Sequence, residues 1–323
     1  MPTDTDQVTY LDAISEALMS EMEADPDVFI IGEDVGQFGG AFKVTKGFLE
    51  KFGPRRVVDT PMAEAGFTGL AAGAALMGLR PVVEFQFADF ISCAFDPIVN
   101  VAAKTHWRSG IRLPLVIRAP FGGGVRGGPF HSQCPEPGFI GVAGLKVVCP
   151  GSVQDAYGLL RAAIEDHDPV LYFEHKRLYR SLNGEPPDPS TRTPLGKGRI
   201  AREGADATLV TYGAGVDLAL RAAEGLDVEV VDLRTVWPVD RELVLESVEK
   251  TSRLLVLQEP PRSSGVAPLV CALIAQNGFV HLDAPPTIVA PPDTPVPFAP
   301  ELEDAYLPSR ERVRATLEEL LGY

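Results

Sequence analysis

Hydrophobic residues lie in short runs rich in β-branched side chains, and longer stretches with helical periodicity separate these runs. Strands that alternate with helices predict a parallel sheet with helices on both faces, because a crossover between parallel strands needs a connection of helical length. The predicted strands are residues 28–31, 57–59, 81–87, 115–118, 146–149 and 170–173, followed by 207–212, 229–233, 254–257 and 287–290. The pattern therefore indicates an α/β fold.

Polar residues that cap helices mark two of the predicted helix starts. Thr9 and Asp12 introduce an amphipathic segment, and Ser152 with Asp155 resembles a capping box in which Asp replaces Glu. A final helix is predicted from about Ser309. The side chains of Thr9 and Ser152 can accept hydrogen bonds from backbone N–H groups that have no partner in the first helical turn.

The segment 183–198 is too rich in Pro and Gly for a regular element. A chain of 323 residues is also long for one hydrophobic core and sufficient for two. We therefore predict a doubly wound α/β domain over residues 1–185, a linker over residues 186–198 and a second doubly wound α/β domain over residues 199–323.

The formal net charge is −15 and the sequence pI is about 4.8. Nucleic acid and anionic membranes are therefore poor partners, whereas a basic protein module would be attracted. Residues 1–6 are acidic and lack an apolar core, so we expect neither a signal peptide nor a mitochondrial presequence, and we expect a cytoplasmic location. We also expect no disulfide, because no C-x-x-C pair occurs among Cys93, Cys134, Cys149 and Cys271.

Glu64 is the first candidate for chemistry. It follows a predicted strand that ends at Asp59, and Pro61 suits the first turn of the helix that comes next. Glu64 thus lies near the carboxyl end of a strand, where α/β proteins tend to bind ligands. From these residues alone, a solvated Glu stabilised by the helix dipole is the simpler explanation.

Nine short motifs are distributed along the chain, and one of them contains Glu64. In their order and spacing the chain resembles the β subunit of the thiamine-diphosphate-dependent 2-oxoacid dehydrogenases, the E1 component. The resemblance implies a pyrimidine-binding α/β domain followed by a transketolase C-terminal-like α/β domain. The motifs are residues 32–35, 59–64, 78–81, 84–90, 108–110, 131–133, 144–148, 231–235 and 293–295.

The resemblance assigns Glu64 to the aminopyrimidine of thiamine diphosphate. In the family, a Glu at this position hydrogen-bonds N1′ and favours the imino tautomer, which lets the neighbouring 4′-nitrogen act as the base. Such a carboxyl should lie in an apolar pocket that keeps it partly protonated. Phe90 is expected to stack on the same ring and Met62 to line the pocket, although either could be an ordinary core residue.

His131 directly follows a glycine-rich loop, residues 121–128. In the resembling enzymes a His at this position assists acyl transfer from the cofactor to the lipoyl arm, and a loop His can titrate near neutral pH. A His that only caps backbone groups is the alternative. The loop lacks the Lys-Ser or Lys-Thr of a P-loop, so it is not a phosphate cradle.

The resemblance also implies a potassium ion that braces the loop below the cofactor, held largely by main-chain carbonyls. Position 168 is often Asn in the family, and an ordinary helix C-terminus at residues 164–168 is the alternative. Oxygen ligands suit a hard cation of this kind. The matching positions are Leu115, Ala163, Ile164, Asp166 and Asp168.

One part of the expected cofactor site has no counterpart in the sequence. Single-chain thiamine enzymes carry a Gly-Asp-Gly motif that binds Mg²⁺ and the diphosphate, and the motif does not occur in this sequence. The resemblance implies that an α subunit supplies this half of the site in an α₂β₂ heterotetramer. It also implies binding to the lipoyl and subunit-binding domains of the E2 acyltransferase, and the acidic balance of the chain together with its C-terminal helix, which carries Glu318 and Glu319, suggests a docking surface for a basic E2 domain.

The implied reaction is oxidative decarboxylation of a 2-oxoacid with reductive acylation of lipoyl-lysine. Residues 86–90 and 131–136 look more like the branched-chain enzymes, of 2-oxoisovalerate type, whereas residues 121–125 are shared with bacterial pyruvate enzymes. We favour the branched-chain substrate, with pyruvate or acetoin dehydrogenase β subunits as alternatives. A non-catalytic scaffold subunit is the alternative from another class, and it gives no chemical reason to hold Glu64, Phe90 and His131 together.

Overall fold

The computed structural model describes residues 7–323 and divides them into two compact units. The first unit ends at Phe121 and resumes over Gly141–Leu195, and the second contains Gly122–Ile140 and Gly196–Tyr323. The segment that carries His131 thus groups with the second unit, and the predicted domain limits at residues 185 and 198 stay a prediction. The acidic residues 1–6, on which the targeting prediction rests, lie outside the described residues.

The first unit contains eight strands and six α-helices among its described residues. A 3₁₀ helix at Ala88–Ala94 and a π-helix at Pro97–Ala102 follow β4. The strands are β1 Val8–Thr9, β2 Val28–Gly32, β3 Val57–Asp59, β4 Arg80–Glu84, β5 Val116–Phe121, β6 Lys146–Val148, β7 Val170–His175 and β8 Asn183–Gly184. The helices are α1 Tyr10–Ala24, α2 Phe48–Phe52, α3 Glu64–Leu76, α4 Ala103–Ser109, α5 Val153–Glu165 and α6 Leu178–Ser181.

Six strands of the first unit form a parallel sheet in the order β6-β7-β5-β4-β2-β3. Every residue of β2, β5 and β7 is buried, as expected for a parallel sheet covered on both faces. The strand order reverses between the adjacent strands β2 and β4. From β2 the chain continues to β3 on one side of this pair, and from β4 it continues to β5 on the other side. The predicted α/β architecture is confirmed for this unit.

Helix caps follow the sequence closely. Thr9 accepts a hydrogen bond from the N–H of Asp12 at 3.1 Å, and the Asp12 carboxylate accepts one from the N–H of Thr9 at 3.2 Å. Ser152 likewise accepts from the N–H of Asp155 at 3.1 Å. These two caps fix α1 and α5, which pack against each other, so the predictions at both helix starts are confirmed.

The second unit has its own sheet and helices. Its 3₁₀ turns are Gly128–Phe130, Glu136–Gly138 and Phe279–His281. The strands are β9 Arg199–Arg202, β10 Ala207–Thr211, β11 Val228–Asp232, β12 Thr235–Trp237, β13 Leu254–Leu257 and β14 Thr287–Val289. The helices are α7 Gly215–Ala222, α8 Arg241–Thr251, α9 Val266–Asn277, α10 Pro300–Tyr306 and α11 Arg310–Leu321.

Strands β14, β13, β10 and β11 run parallel in that order, and β9 adds an antiparallel edge to β11. The sequence predicted the four parallel strands but neither β9 nor β12. Helix α11 begins after its Ser309 cap, as predicted, and buries Val313, Leu317 and Leu320 in the core of this unit. No helix of residues 7–323 is long and apolar enough to cross a membrane, and none of the four cysteines forms a disulfide.

A guanidinium with no exposed surface lies inside the sheet of the first unit. Arg118 on β5 donates to Glu84 on β4 at 2.5 Å and, through two nitrogens, to Glu174 on β7 at 2.6 and 2.9 Å. Tyr179 donates its hydroxyl to Glu174 at 2.6 Å. Burial alone would lower the pKa of Arg118, but the two carboxylates outweigh it and raise the pKa. Arg118 therefore neutralises two carboxylates that three adjacent strands enclose.

We expect Arg118→Leu to lower the free energy of unfolding by about 3–5 kcal/mol, because it leaves two buried carboxylates without their cation. The matched control is Arg112→Leu, which removes a largely exposed guanidinium 3.4 Å from Asp168 and should cost less than about 1 kcal/mol. Urea denaturation of both variants measures the difference. Equal losses would show that the buried pairs contribute no more than a surface pair.

Candidate active site

Glu64 is the first residue of α3. The chain leaves β3 extended, with the N–H of Thr60 donating to the Gly32 carbonyl at 3.0 Å, and the non-helical backbone of Ala63 ends this extension. Pro61 therefore precedes the helix, and its prediction as a first-turn residue is wrong. Glu64 itself opens the helix as predicted, next to N–H groups whose partial positive charge favours a carboxylate.

The surroundings of Glu64 form an open face of the chain. Glu64 is half-buried, its neighbours Ala63, Ala65 and Gly66 are exposed, and 85% of the Met62 surface is exposed. An apolar pocket, which the proposed chemistry of Glu64 requires, is therefore not enclosed by residues 7–323 of this chain alone. This face can supply one wall of such a pocket.

A second carboxyl, which the sequence analysis did not select, lies beside Glu64. Glu33 follows β2 directly, is 8% exposed, and its Oε1 accepts no hydrogen bond from the described residues. Burial raises the pKa of Glu33, and the carboxylates of Glu64 and Asp34 raise it further. An acidic residue directly after a buried strand was the sequence signal for this position.

Phe90 lies in the 3₁₀ helix Ala88–Ala94, against which α3 packs. Strand β4 ends at Glu84, so the prediction that it continues to residue 87 is wrong, although the N–H of Phe85 still donates to the Arg118 carbonyl at 3.0 Å. The half-buried Phe90 ring meets Phe87 edge-on, with ring centroids 6.2 Å apart. The sequence thus brings Glu64, Glu33 and the Phe90 turn to one edge of the sheet.

His131 lies in the second unit, directly after the 3₁₀ turn Gly128–Phe130. Its N–H donates to the Gly128 carbonyl at 3.4 Å, and the N–H of Ser132 donates to the same carbonyl at 3.1 Å. The His131 side chain is half-buried and Ser132 is buried. The His131 backbone is therefore fixed by local hydrogen bonds.

Two of the carbonyls predicted to bind potassium converge on a cation of the protein. Nη1 of Arg80 donates to the carbonyl of Ile164 at 2.8 Å and to that of Asp166 at 3.1 Å. The carbonyls of Leu115 and Ala163 accept backbone N–H groups. Each carbonyl oxygen has two lone pairs, so an alkali ion at these positions would share its ligands with Arg80 and the backbone.

The carboxylates of the predicted potassium cluster hold a second cation. Nζ of Lys146 lies 2.8 Å from both oxygens of Asp166 and 3.5 Å from Asp168. These carboxylates therefore bind an ammonium group of the protein.

Two family models match the chain. "Transketolase, pyrimidine binding domain" matches residues 6–181, and "Transketolase, C-terminal domain" matches residues 196–313. The 2-oxoisovalerate dehydrogenase subunit beta of Bacillus subtilis (strain 168) is 46% identical over 98% of this chain and 99% of that protein. The chain belongs to the E1 β-subunit family of the 2-oxoacid dehydrogenases. Members of this family are oxidoreductases, and a pyrimidine-binding domain of the transketolase type implies thiamine diphosphate.

Another relative of the E1 β family has the same sequence identity to this chain. Pyruvate dehydrogenase E1 component subunit beta-1, mitochondrial, of Arabidopsis thaliana is 46% identical over 95% of this chain and 87% of that protein. A solved structure described as a split gene transketolase, inactive beta4 tetramer, is 24% identical and covers 98% of both chains with a TM-score of 0.79. That likeness confirms the predicted two-domain fold.

A pH dependence follows from the raised pKa of Glu33. A carboxyl whose pKa is raised by folding stabilises the protein while protonated, and this contribution is lost as pH rises through the folded-state pKa. Glu33→Gln cannot ionise and so removes the cost of the buried charge. We expect the midpoint of thermal unfolding of Glu33→Gln, relative to the unsubstituted protein, to increase between about pH 5 and 8.

Glu16→Gln on the exposed face of α1 is the matched control for this measurement. A difference between Glu33→Gln and the unsubstituted protein that stays constant with pH would contradict a raised pKa of Glu33.

Proposed function

We propose that the chain is the β subunit of an α₂β₂ E1 enzyme that decarboxylates a branched-chain 2-oxoacid of 2-oxoisovalerate type and transfers the acyl group to lipoyl-lysine on E2. The observation that carries the proposal is the pair formed by Glu64 at the start of α3 and the buried Glu33 at the end of β2. Two carboxyls that interact in this way suit proton chemistry on one ligand. A scaffold subunit would not need the pair.

The described residues fit thiamine diphosphate at its aminopyrimidine end. When bound, the cofactor supplies the carbanion that attacks the 2-oxoacid. Glu64 would hold a proton in a hydrogen bond to ring nitrogen N1′, Phe90 would stack on the ring, and Met62 would cover its edge. Burial and the neighbouring carboxylate of Glu64 raise the pKa of Glu33.

An α subunit completes this site in our proposal and holds the diphosphate with Mg²⁺. The outer face of α3 suits a closely packed partner chain, because nothing lies within 4 Å of a Cβ built at Gly69 or Gly73. Leu70 on the same helix is 59% exposed, and Met77 directly after it is 84% exposed. An exposed helix with both small and large apolar side chains favours burial in an assembly.

The chain is equally identical to a 2-oxoisovalerate enzyme subunit and a pyruvate enzyme subunit, so sequence identity does not distinguish the two substrates. Our preference for the branched-chain acid therefore rests on the motifs at residues 86–90 and 131–136. Pyruvate is the alternative substrate, followed by acetoin. The test is a panel of these compounds with the assembled α₂β₂ enzyme and an artificial electron acceptor. The highest kcat/KM is expected for the branched-chain acid, and no turnover with any 2-oxoacid would support a scaffold role.

Three further parts of the proposal remain predictions. The E2 domains would dock near α11, where Glu319 is exposed and Glu318 pairs with Arg314 at 2.6 Å.

Potassium would share the carbonyls of Ile164 and Asp166 with Arg80. A comparison of thermal unfolding in KCl and in NaCl at the same concentration tests whether potassium binds there. A cytoplasmic location agrees with the bacterial relatives.

We expect Glu64→Gln to slow proton exchange at C2 of bound thiamine diphosphate by about 10²-fold or more, the scale of a positioned acid–base group. NMR of the assembled enzyme measures the exchange rate. The matched control is Glu50→Gln, an exposed acidic residue in the first turn of α2. An exchange rate within a few-fold of the unsubstituted enzyme would remove Glu64 from the catalytic role.

We expect His131→Ala to slow reductive acylation of a lipoyl domain far more than decarboxylation with an artificial acceptor, because the proposed proton transfer belongs to the second half-reaction. His281→Ala, at the end of another 3₁₀ turn, is the control. Equal losses in the two assays would assign His131 to cofactor or substrate binding instead.

A further inference from the structure

The loop that carries His131 is fastened to α10 by one buried carboxylate. Glu303 has no exposed surface. Its Oε1 accepts the N–H of Gly124 at 2.9 Å, and its Oε2 accepts Nη1 of Arg126 at 2.8 Å. A single side chain of the C-terminal region therefore holds both the backbone and a side chain of the loop.

Arg126 is held from several sides at once. Its Nη2 lies 2.8 and 3.1 Å from the two oxygens of Asp304, and its Nη1 also donates to the Pro300 carbonyl at 2.9 Å. The φ angle of Arg126 is 62°, in the left-handed region that a non-glycine residue occupies only with backbone strain. The ion pairs with α10 offset this strain.

Two further anchors attach the loop to the carboxyl edge of the second sheet. Glu259, two residues after β13, accepts the N–H of Gly123 at 2.5 Å. Tyr212, directly after β10, donates its hydroxyl to the buried Glu136 at 2.8 Å. Strands β10 and β13 are neighbours from which the chain continues in opposite directions, so these anchors lie at the switch point of this sheet.

The position of Arg126 is transmitted to His131 through close contacts. A Cβ built at Gly127 would lie 2.8 Å from the Cβ of His131 and 2.9 Å from its carbonyl oxygen, and the N–H of Gly127 donates to Ser132 at 3.1 Å. A Cβ at Gly128 would lie 2.5 Å from the ring of Phe298. The segment between Arg126 and His131 is therefore closely packed against the residues that follow it, which gives a short route from the Arg126 anchor to His131.

We propose that Glu303 is a positioning residue for acyl transfer, acting through Gly124 and Arg126 to hold His131 in the geometry that its proton transfer requires. The inference rests on the proposed role of His131 and extends it to a residue 172 positions away along the chain. In this proposal, Glu303 acts through its contacts with the loop and touches neither substrate nor cofactor. Loss of its charge should therefore alter the balance between the two half-reactions.

The test compares Glu303→Gln with the unsubstituted chain in the assembled α₂β₂ enzyme. Gln keeps the shape and can still accept the Gly124 N–H, but it loses the ion pair with Arg126. We expect the ratio of lipoyl-domain acylation to dye-linked decarboxylation to fall by about tenfold or more, since displacement of a reacting group by about 1 Å has effects of this size. The loss should appear in kcat for the lipoyl domain and not in its KM.

Three companion variants make the result specific. Glu301→Gln changes an exposed carboxylate on the same helix and should leave the ratio unchanged. Arg126→Gln should lower the ratio, and the double variant Arg126→Gln with Glu303→Gln should lower it no further than the single changes, because both remove the same ion pair. The double variant also avoids a buried unpaired charge, which keeps the test possible if one single variant folds poorly.

An unchanged ratio in Glu303→Gln and in the double variant would overturn the proposal, and so would equal losses in both assays, which would indicate a role in stability only. The parallel His131→Ala measurement separates the two hypotheses. If His131→Ala loses both activities equally, the proposed role of His131 fails. If only His131→Ala changes the ratio, Glu303 is not a positioning residue.

Discussion

The carboxyl ends of parallel strands lie at one edge of a sheet, and this constraint decides where the candidate chemistry of the first unit is placed. Strand β2 pairs with β3 and β4, with Gly32 opposite both Asp59 and Glu84. The segments that leave these strands begin with Glu33, lead to Glu64 and contain Phe90, respectively. Because the strand order reverses between β2 and β4, they also lie at a switch point, where α/β sheets bind ligands.

Within the described part of the same sheet, the buried charged side chains form one cluster around Arg118. Glu84 at the end of β4 is 5% exposed, and burial raises its pKa although Arg118 partly opposes this. The neutralisation by Arg118 lets the strand end in a carboxylate without leaving an uncompensated charge in the core. A fixed β4 end in turn fixes the start of the turn that carries Phe90. The buried ion pairs therefore support the site although none of their residues belongs to it.

Most of the fold could be predicted because hydrophobic runs and capping residues are local signals. Thr9 and Ser152 cap the helices they were expected to cap, the last helix begins close to the predicted Ser309, and the buried strands lie within a few residues of their predicted limits. Strand β9 was missed because its sequence, Arg-Ile-Ala-Arg, is polar at both ends. An antiparallel edge strand tolerates such a sequence, since only one side of it is paired.

The candidate site could be predicted only where a motif names the residue. Glu64, Phe90 and His131 stand in short motifs, whereas Glu33 required its burial to be known and Glu303 required a contact between residues 177 positions apart. Neither periodicity nor composition predicts the contact between Arg126 and Glu303, because the residues adjacent to each in sequence give no sign of the other. Long-range charge pairs are set by tertiary packing, and the sequence carries no local signal for them.

The two units place their candidate residues by the same rule. In the first, Glu33 follows β2 and the Phe90 turn follows β4. In the second, Tyr212 follows β10 and Glu259 lies just beyond β13, and both hold the loop of His131. Each sheet thus presents polar groups at its switch point, and in the second sheet these groups bind a loop of the same chain. A segment bound in this way has a fixed backbone, which holds a proton donor on a loop in one position.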